Sequence, residues 1–266
     1  MKRYEGLGVY FYTGTTQTGK SIAALAAAWK HQDATGWPIL IIDSQGVWNF
    51  EGYPHAKTVE EAVRRVWAVD EVGKPKEKAV AFTPTDVAEV ESLYSAARAG
   101  RRVILLCDEC RFWLSARRLP DALSRALRVW AHSELVLLFT TQRLADVHGD
   151  ALACHREIYV FKTVGRPDLD RLEDEYEVNR ERVMALEDGR FLTVRWNKLI
   201  EGGADADDGK TEKTGSPAAG APDGRVLESG VRPPPRPGDP DGPPVPGGMG
   251  PGAPGEGAGG REEEKV

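Results

Sequence analysis

A chain of 266 residues with a net charge of −6 and 41% hydrophobic residues is long enough for one folded domain and an appendage. The charge is unevenly spread: residues 201–266 hold 13 acidic and 7 basic side chains, which leaves 28 of each in residues 1–200, so the folded part is neutral and bulk charge gives no support for a nucleic-acid surface. The longest apolar stretches fall far short of the ~20 residues that cross a bilayer, the start Met1–Glu5 lacks the apolar core of a signal peptide, and three cysteines are an odd number for a disulfide framework, so a cytosolic protein is expected.

Short apolar runs alternate with segments of helical period, the pattern of a parallel sheet flanked by helices. Val9–Thr13 reads as the first strand and Ser21–Lys30 as a helix; Pro38–Asp43 is the second strand, followed by a helix over 59–69. Lys78–Thr83 is the third strand, then a helix over 86–99. Val103–Asp108 is wholly apolar until its terminal acid, as expected of a strand buried on both faces. The helix over 120–131 places Leu119, Leu123, Leu127 and Trp130 on one stripe. Strands at Leu135–Thr141, Glu157–Lys162 and Arg190–Arg195 follow, the last two separated by short helical patterns over 168–176 and 180–186. From Glu201 onward Gly and Pro dominate and large apolar side chains are scarce, too few to offset the entropy of ordering. The expected organisation is therefore a folded domain over 1–200 and a disordered, acidic, Gly/Pro-rich tail over 201–266.

Gly14-Thr15-Thr16-Gln17-Thr18-Gly19-Lys20-Ser21 matches G-x-x-x-x-G-K-[ST] in the context that its chemistry requires, with an apolar strand leading in and a helix leading out. The glycines let the backbone wrap a phosphate with its amides pointing inward, and the helix N-terminus adds partial positive charge. Lys20 is assigned to the β- and γ-phosphates of ATP, Ser21 to Mg²⁺, and Ile22 completes the nucleotide-binding stretch. The fold class this implies is α/β, a three-layer RecA-like P-loop NTPase core with a mostly parallel central sheet. Asp108 and Glu109 end a neighbouring strand: Asp108 is the candidate for the metal shell and Glu109 for the residue that positions and polarises the attacking water. The next strand ends in Thr140-Thr141-Gln142-Arg143, which makes Gln142 a candidate sensor of the γ-phosphate. Asp43, at the end of the second strand, is a candidate for the outer metal shell.

With these residues in place the chain resembles the FtsK–HerA superfamily of DNA-pumping ATPases, over nearly all of residues 8–200. Its small core looks most like the genome-packaging ATPases of tailless viruses with an internal membrane. The resemblance implies Mg²⁺-dependent ATP hydrolysis by a homo-oligomeric ring, a hexamer or pentamer. Such a ring drives double-stranded DNA into a preformed capsid, in the cytoplasm of an infected host cell or on the virion at a packaging vertex, beside a capsid or vertex protein. It also implies an arginine acting across the subunit boundary from between the acidic strand and the glutamine strand. Arg111, Arg117, Arg118, Arg125 and Arg128 lie there, and Arg128 is preferred because it shares a polar helix face with Arg125. The alternative is a P-loop ATPase of phage or pilus assembly, or of conjugative DNA transfer. Phe112 and Trp113 are assigned to core or interface packing rather than to a DNA platform. A zinc site from Cys107-x-x-Cys110 and Cys154-His155 is set aside because Cys107 belongs to the apolar strand.

Overall fold

Ten strands form one sheet in the computed structural model, which describes residues 4–46 and 52–195 together with the backbone of 198–200 and 229–230. In chain order the strands are β1 (Gly8–Thr13), β2 (Ile39–Asp43), β3 (His55–Ala56), β4 (Ala79–Phe82), β5 (Val103–Asp108), β6 (Leu135–Thr141), β7 (Glu157–Phe161), β8 (Arg190–Arg195), β9 (Lys198–Ile200) and β10 (Ser229–Gly230). The helices are α1 (Lys20–Thr35), α2 (Val59–Val66), α3 (Val87–Gly100), α4 (Asp121–Val129), α5 (Gly149–Leu152), α6 (Arg166–Tyr176) and α7 (Arg180–Met184). The spatial order is β10-β8-β7-β1-β6-β5-β2-β4-β3, with β9 also on β8. Every pairing from β7 to β3 is parallel, and those of β8 are antiparallel. The described residues fall in one compact unit spanning Met1–Pro234; the second unit, Pro235–Val266, and most of the expected tail lie outside the described residues.

Strict alternation sends odd and even positions of each strand to different cores. Val9, Phe11, Val103, Leu105, Leu137 and Phe139 face a layer built by α2 to α7, into which Leu93, Tyr94, Leu123, Leu127 and Leu169 pack. Tyr10, Tyr12, Ile104, Leu106, Val136 and Leu138 face the other way, where α1 supplies Ala23, Ala24, Leu25 and Ala28. The alanines allow close approach of α1 to the centre of the sheet, and the aromatic side chains Trp29, Trp37, Tyr53, Tyr159 and Phe191 fill the margins around it. The result is three layers, but with most helices on one side.

The central strands β1, β5 and β6 are buried at every position, as their continuous apolar runs predict. The strand over 190–195 departs from the parallel pattern because two short helices, α6 and α7, intervene after β7 and bring the chain back to the edge of the sheet where it left. That edge is where β1, β2, β5, β6 and β7 all end, so the turn before β8 comes to lie beside the residues that follow β1. Among the described residues no helix is long and apolar enough to cross a membrane.

Candidate nucleotide-binding and hydrolysis site

β1 sits between β6 and β7, and the loop that leaves it is tied to both neighbours. The Gly14 amide donates to the Thr141 carbonyl at 3.3 Å, and the Thr15 amide and hydroxyl both donate to the Lys162 carbonyl, at 2.9 and 3.0 Å. A side chain at Gly14 would place its Cβ 2.6 Å from that of Phe161, so the close approach requires glycine there. Gln17 and Gly19 both have positive φ, 64° and 89°, which turns the loop back toward α1. Thr18 locks the curve by donating to the Thr15 carbonyl at 2.8 Å, and its own carbonyl accepts the Gly189 amide at 3.1 Å from the turn before β8.

The helix that follows starts without a side-chain cap and without an acidic residue in its first turn, whereas α2, α3 and α7 are capped by Thr58, Asp86 and Asn179. Its first amides are left for an anion, as the phosphate-loop reading requires. Lys20 opens this helix and is buried; burial lowers its pKa, against which the neighbouring Glu109 and Asp108 carboxylates act to keep it charged. Thr16 and Gln17 stand exposed at the rim, and Ile22 is 47% exposed one residue past Ser21, an apolar surface beside the loop.

Asp108 and Glu109 arrive at the same place from β5. Asp108 Oδ1 accepts the Ser21 hydroxyl at 2.9 Å and the Thr140 hydroxyl at 2.7 Å, so the two residues assigned to the metal touch each other. A serine hydroxyl against a carboxylate suits Mg²⁺, which takes a few protein oxygens and completes its octahedron with phosphates and water. Asp43 is fully buried and paired in register with Asp108 across β2 and β5, and its Oδ1 accepts the Gln45 amide at 3.2 Å.

Glu109 is the most constrained carboxylate here. It lies in the left-handed region, φ 49° and ψ 59°, which a non-glycine residue adopts at a cost of about 1–2 kcal/mol. Three bonds hold it: its amide donates to Thr140 Oγ1 at 2.8 Å, its Oε1 accepts the Gln142 amide at 3.2 Å, and Arg111 Nε approaches the same oxygen at 3.1 Å. Burial raises its pKa, partly offset by the Gln142 amide and the charges of Arg111 and Lys20. A carboxylate that is 2% exposed and whose pKa burial raises is a stronger proton acceptor than a solvated one, which suits it to polarise a water.

The structure thus gathers Gly14 to Ser21, Asp108, Glu109 and Gln142 at one sheet edge. Gln142 takes part through its backbone, and its side chain is half-buried beside Glu109. Arg128 is not brought to this cluster: it is exposed near the end of α4, which runs from the site's edge toward the opposite edge where β6 begins. Arg125 is exposed on the same helix. Arg111, one of several arginines between the two strands, is held by Glu109 and stacks over Phe112 with 5.6 Å to the ring centroid. Trp113 packs against the core, as assigned, but also donates from Nε1 to Ser44 Oγ at 2.8 Å, and Ser44 donates to the Asp108 carbonyl at 2.7 Å. Thr140, Ser44 and Gly189 were not legible as site residues; the one signal was a pair of threonines closing an apolar strand. Cys107 and Cys110 are buried in the core with thiols pushed far up by burial, away from any ligand role.

No protein-family model and no curated protein matches this chain. Among solved structures it is similar to the genome packaging NTPase B204 of Sulfolobus turreted icosahedral virus 2 in complex with AMPPCP, at 19% identity, TM-score 0.60, over 74% of this chain and 96% of that one. It is also similar to the bacterial conjugative coupling protein TrwB, at 12% identity and TM-score 0.51 over 72% and 82% of the two chains. VirB4 of Thermoanaerobacter pseudethanolicus follows at 11% identity and TM-score 0.50, over 75% and 90%. With the G-x-x-x-x-G-K-[ST] loop between a central parallel strand and its helix, and acid and amide at the next strand ends, the chain has the mixed α/β, mostly parallel, RecA-like P-loop NTPase fold of these structures.

Proposed function

We propose that the protein is an Mg²⁺-dependent ATP hydrolase that moves double-stranded DNA, and that its task is to package a viral genome into a preformed capsid. The observation that carries the reading is the joining of the G-x-x-x-x-G-K-[ST] loop to the acidic strand through Ser21, Asp108, Thr140 and Glu109, which supports a metal site at the Ser21–Asp108 pair and a water-positioning role for the constrained carboxylate near the buried Lys20. In this reading the amides of Gly14 to Ser21 and the Lys20 ammonium bind the phosphates, and Ser21 and Asp108 hold the cation. Bound Mg²⁺ neutralises phosphate charge. Glu109 accepts a hydrogen bond from the attacking water and orients it, and Gln142 is the candidate sensor of the γ-phosphate. Its similarity to a virus genome packaging NTPase solved with an ATP analogue, at nearly full length of that protein, favours packaging. The likeness to TrwB and VirB4 favours conjugative transfer as the second reading.

In this reading the subunits form a ring, a hexamer or pentamer, in which an arginine of the adjacent subunit acts on the phosphate in addition to the Arg111 that Glu109 holds within the subunit. Arg128, exposed in the last turn of α4, is the candidate for that arginine. A capsid or vertex protein is the expected docking partner, with the motor working in the cytoplasm of an infected cell or at the packaging vertex of the virion.

Steady-state ATP hydrolysis with Mg²⁺ at low salt, with and without double-stranded DNA of several sequences, tests the reading. Lys20→Ala abolishes turnover through lost nucleotide binding. Glu109→Gln retains binding and lowers kcat by about a hundredfold or more. Stimulation by DNA regardless of sequence supports translocation; hydrolysis that is robust and indifferent to DNA removes it, and unchanged hydrolysis in Glu109→Gln removes the assigned role of that residue.

A further inference from the structure

The loop that carries Gln142 is gripped from behind by two side chains of α6 that the hydrolysis chemistry does not use. After Gln142 the chain makes a single 3₁₀ turn over Leu144–Asp146. Asp168, 3% exposed, accepts the Ala145 amide at 2.9 Å at the start of this turn, and the Leu144 amide also bonds to it. Arg171, one helical turn further along α6, donates from Nη1 to the carbonyls of Leu144 at 3.1 Å and Val147 at 2.9 Å at the other end. Asp168 and Arg171, spaced i and i+3, project from one face of the helix, so a single rigid element satisfies both the donors and the acceptors of the turn. Arg171 is itself steadied by Glu175 at 3.1 Å, and Gly165 leaves room for Asp168, since a Cβ there would stand 2.7 Å from Oδ2.

The other end of this segment reaches the phosphate loop. Lys162, just before it, offers its carbonyl to both the amide and the hydroxyl of Thr15. The segment 162–171 therefore touches the phosphate loop at one end and the turn after Gln142 at the other, and the Gln142 amide is one of the three groups that fix Glu109. We infer that Asp168 and Arg171 form a clasp that positions Glu109, by holding the turn over 144–146 so that the Gln142 amide meets the Glu109 carboxylate. This rests on Glu109 positioning water in ATP hydrolysis. The clasp acts on the catalytic step and leaves nucleotide binding, which uses the phosphate loop, little changed.

The test measures kcat, KM for ATP and nucleotide affinity in full-length wild type, Arg171→Ala, Arg171→Lys and Asp168→Ala, together with amide hydrogen exchange over residues 142–147. Expected for Arg171→Ala is a tenfold or larger fall in kcat, KM and nucleotide affinity within about twofold, and faster exchange in that segment. Arg171→Lys keeps a cationic donor but ends one bond short of Nη1, from which both carbonyl bonds are made, and recovers part of the loss. The same change placed in Glu109→Gln produces no further fall in single-turnover rate, because its effect passes through Glu109. Unaltered kcat in Arg171→Ala, or an equal fractional loss in the Glu109→Gln background, overturns the clasp. If Asp168→Ala does not fold, the Arg171 pair and the cycle with Glu109 decide alone. Wild-type protein that fails to hydrolyse ATP at all overturns the proposed hydrolase instead, so the two failures are told apart by the first measurement.

Discussion

Thr140 holds the two catalytic-strand acids together, and replacing it with valine removes that hub at nearly constant volume. Its hydroxyl donates to Asp108 at 2.7 Å and accepts the Glu109 amide at 2.8 Å, at a position 1% exposed to solvent. Losing a hydrogen bond to a charged group costs about 1.5–3 kcal/mol, and an unsatisfied buried amide about 1–3 kcal/mol, so the sum is roughly 3–5 kcal/mol if nothing moves. Glu109 has a way out, since leaving its left-handed conformation recovers about 1–2 kcal/mol of strain. Thr140→Val is therefore expected to lower the unfolding free energy by roughly 1–4 kcal/mol and to cut kcat at least tenfold as Glu109 relaxes. ATP affinity measured without Mg²⁺ stays near wild type, because Lys20 and the loop amides are untouched. Thr140→Ser keeps the hydroxyl and costs only about 1 kcal/mol for the buried methyl. Urea unfolding followed by tryptophan fluorescence and steady-state turnover provide both readings. A Thr140→Val protein within 0.5 kcal/mol of wild type on the order of normal surface changes, turning over at the wild-type rate, refutes the hub.

Acid should weaken the fold through His31, whose Nδ1 is 2.7 Å from the Tyr4 hydroxyl and whose pKa burial, with Lys30 and Arg156 nearby, lowers from 6.5 to about 4. The unfolded chain binds the proton first, so stability is full above pH 6.5 and falls as pH drops toward 4; between pH 7 and 5 this amounts to about 2 kcal/mol. Denaturant unfolding at the two pH values, in wild type and His31→Gln, isolates it, and an equal slope in both proteins shows that His31 is not the cause. Glu91 of α3 caps α4 from a distance, accepting the amides of Asp121 at 2.6 Å and Ala122 at 3.0 Å. Glu91→Ala is expected to cost about 1 kcal/mol, lowering Tm by roughly 2–4 °C, while Glu91→Gln, which still accepts, loses less; equal melting of the two variants rules out the cap.

Those elements whose character is local were legible before the structure. The strands over 103–108 and 135–141 read correctly to the residue because runs of 6 and 7 residues are too short for a helix and polar residues bound them. The phosphate loop was legible because its glycines are needed for backbone reasons, visible at Gly14 in the contact a Cβ would make with Phe161. The strand order was not, since periodicity says which face of β1 is buried and nothing about its lying between β6 and β7. The antiparallel entry of β8 depends on two short helices where one would have given a parallel crossover, a distinction of chain path rather than of composition.

The same division explains why the sequence singled out the two acids that the structure brings to the loop and missed what holds them. A motif is read from the spacing of residue types, and Lys20, Ser21, Asp108 and Glu109 stand at the ends of elements where spacing is informative. Thr140, Ser44 and Arg171 bind other protein atoms, and a threonine in a strand or an arginine on an acidic helix has many ordinary explanations. Their roles come from register and packing: Thr140 reaches Asp108 because β6 lies beside β5, and Ser44 reaches the Asp108 carbonyl because β2 lies on its other side. Both flanking strands thus grip the acidic strand end, one by a side-chain hydroxyl on the carboxylate and one on the backbone. A strained Glu109 persists only under such over-determination. A change at either flanking strand end is therefore felt at the carboxylate, although neither residue needs to touch a nucleotide.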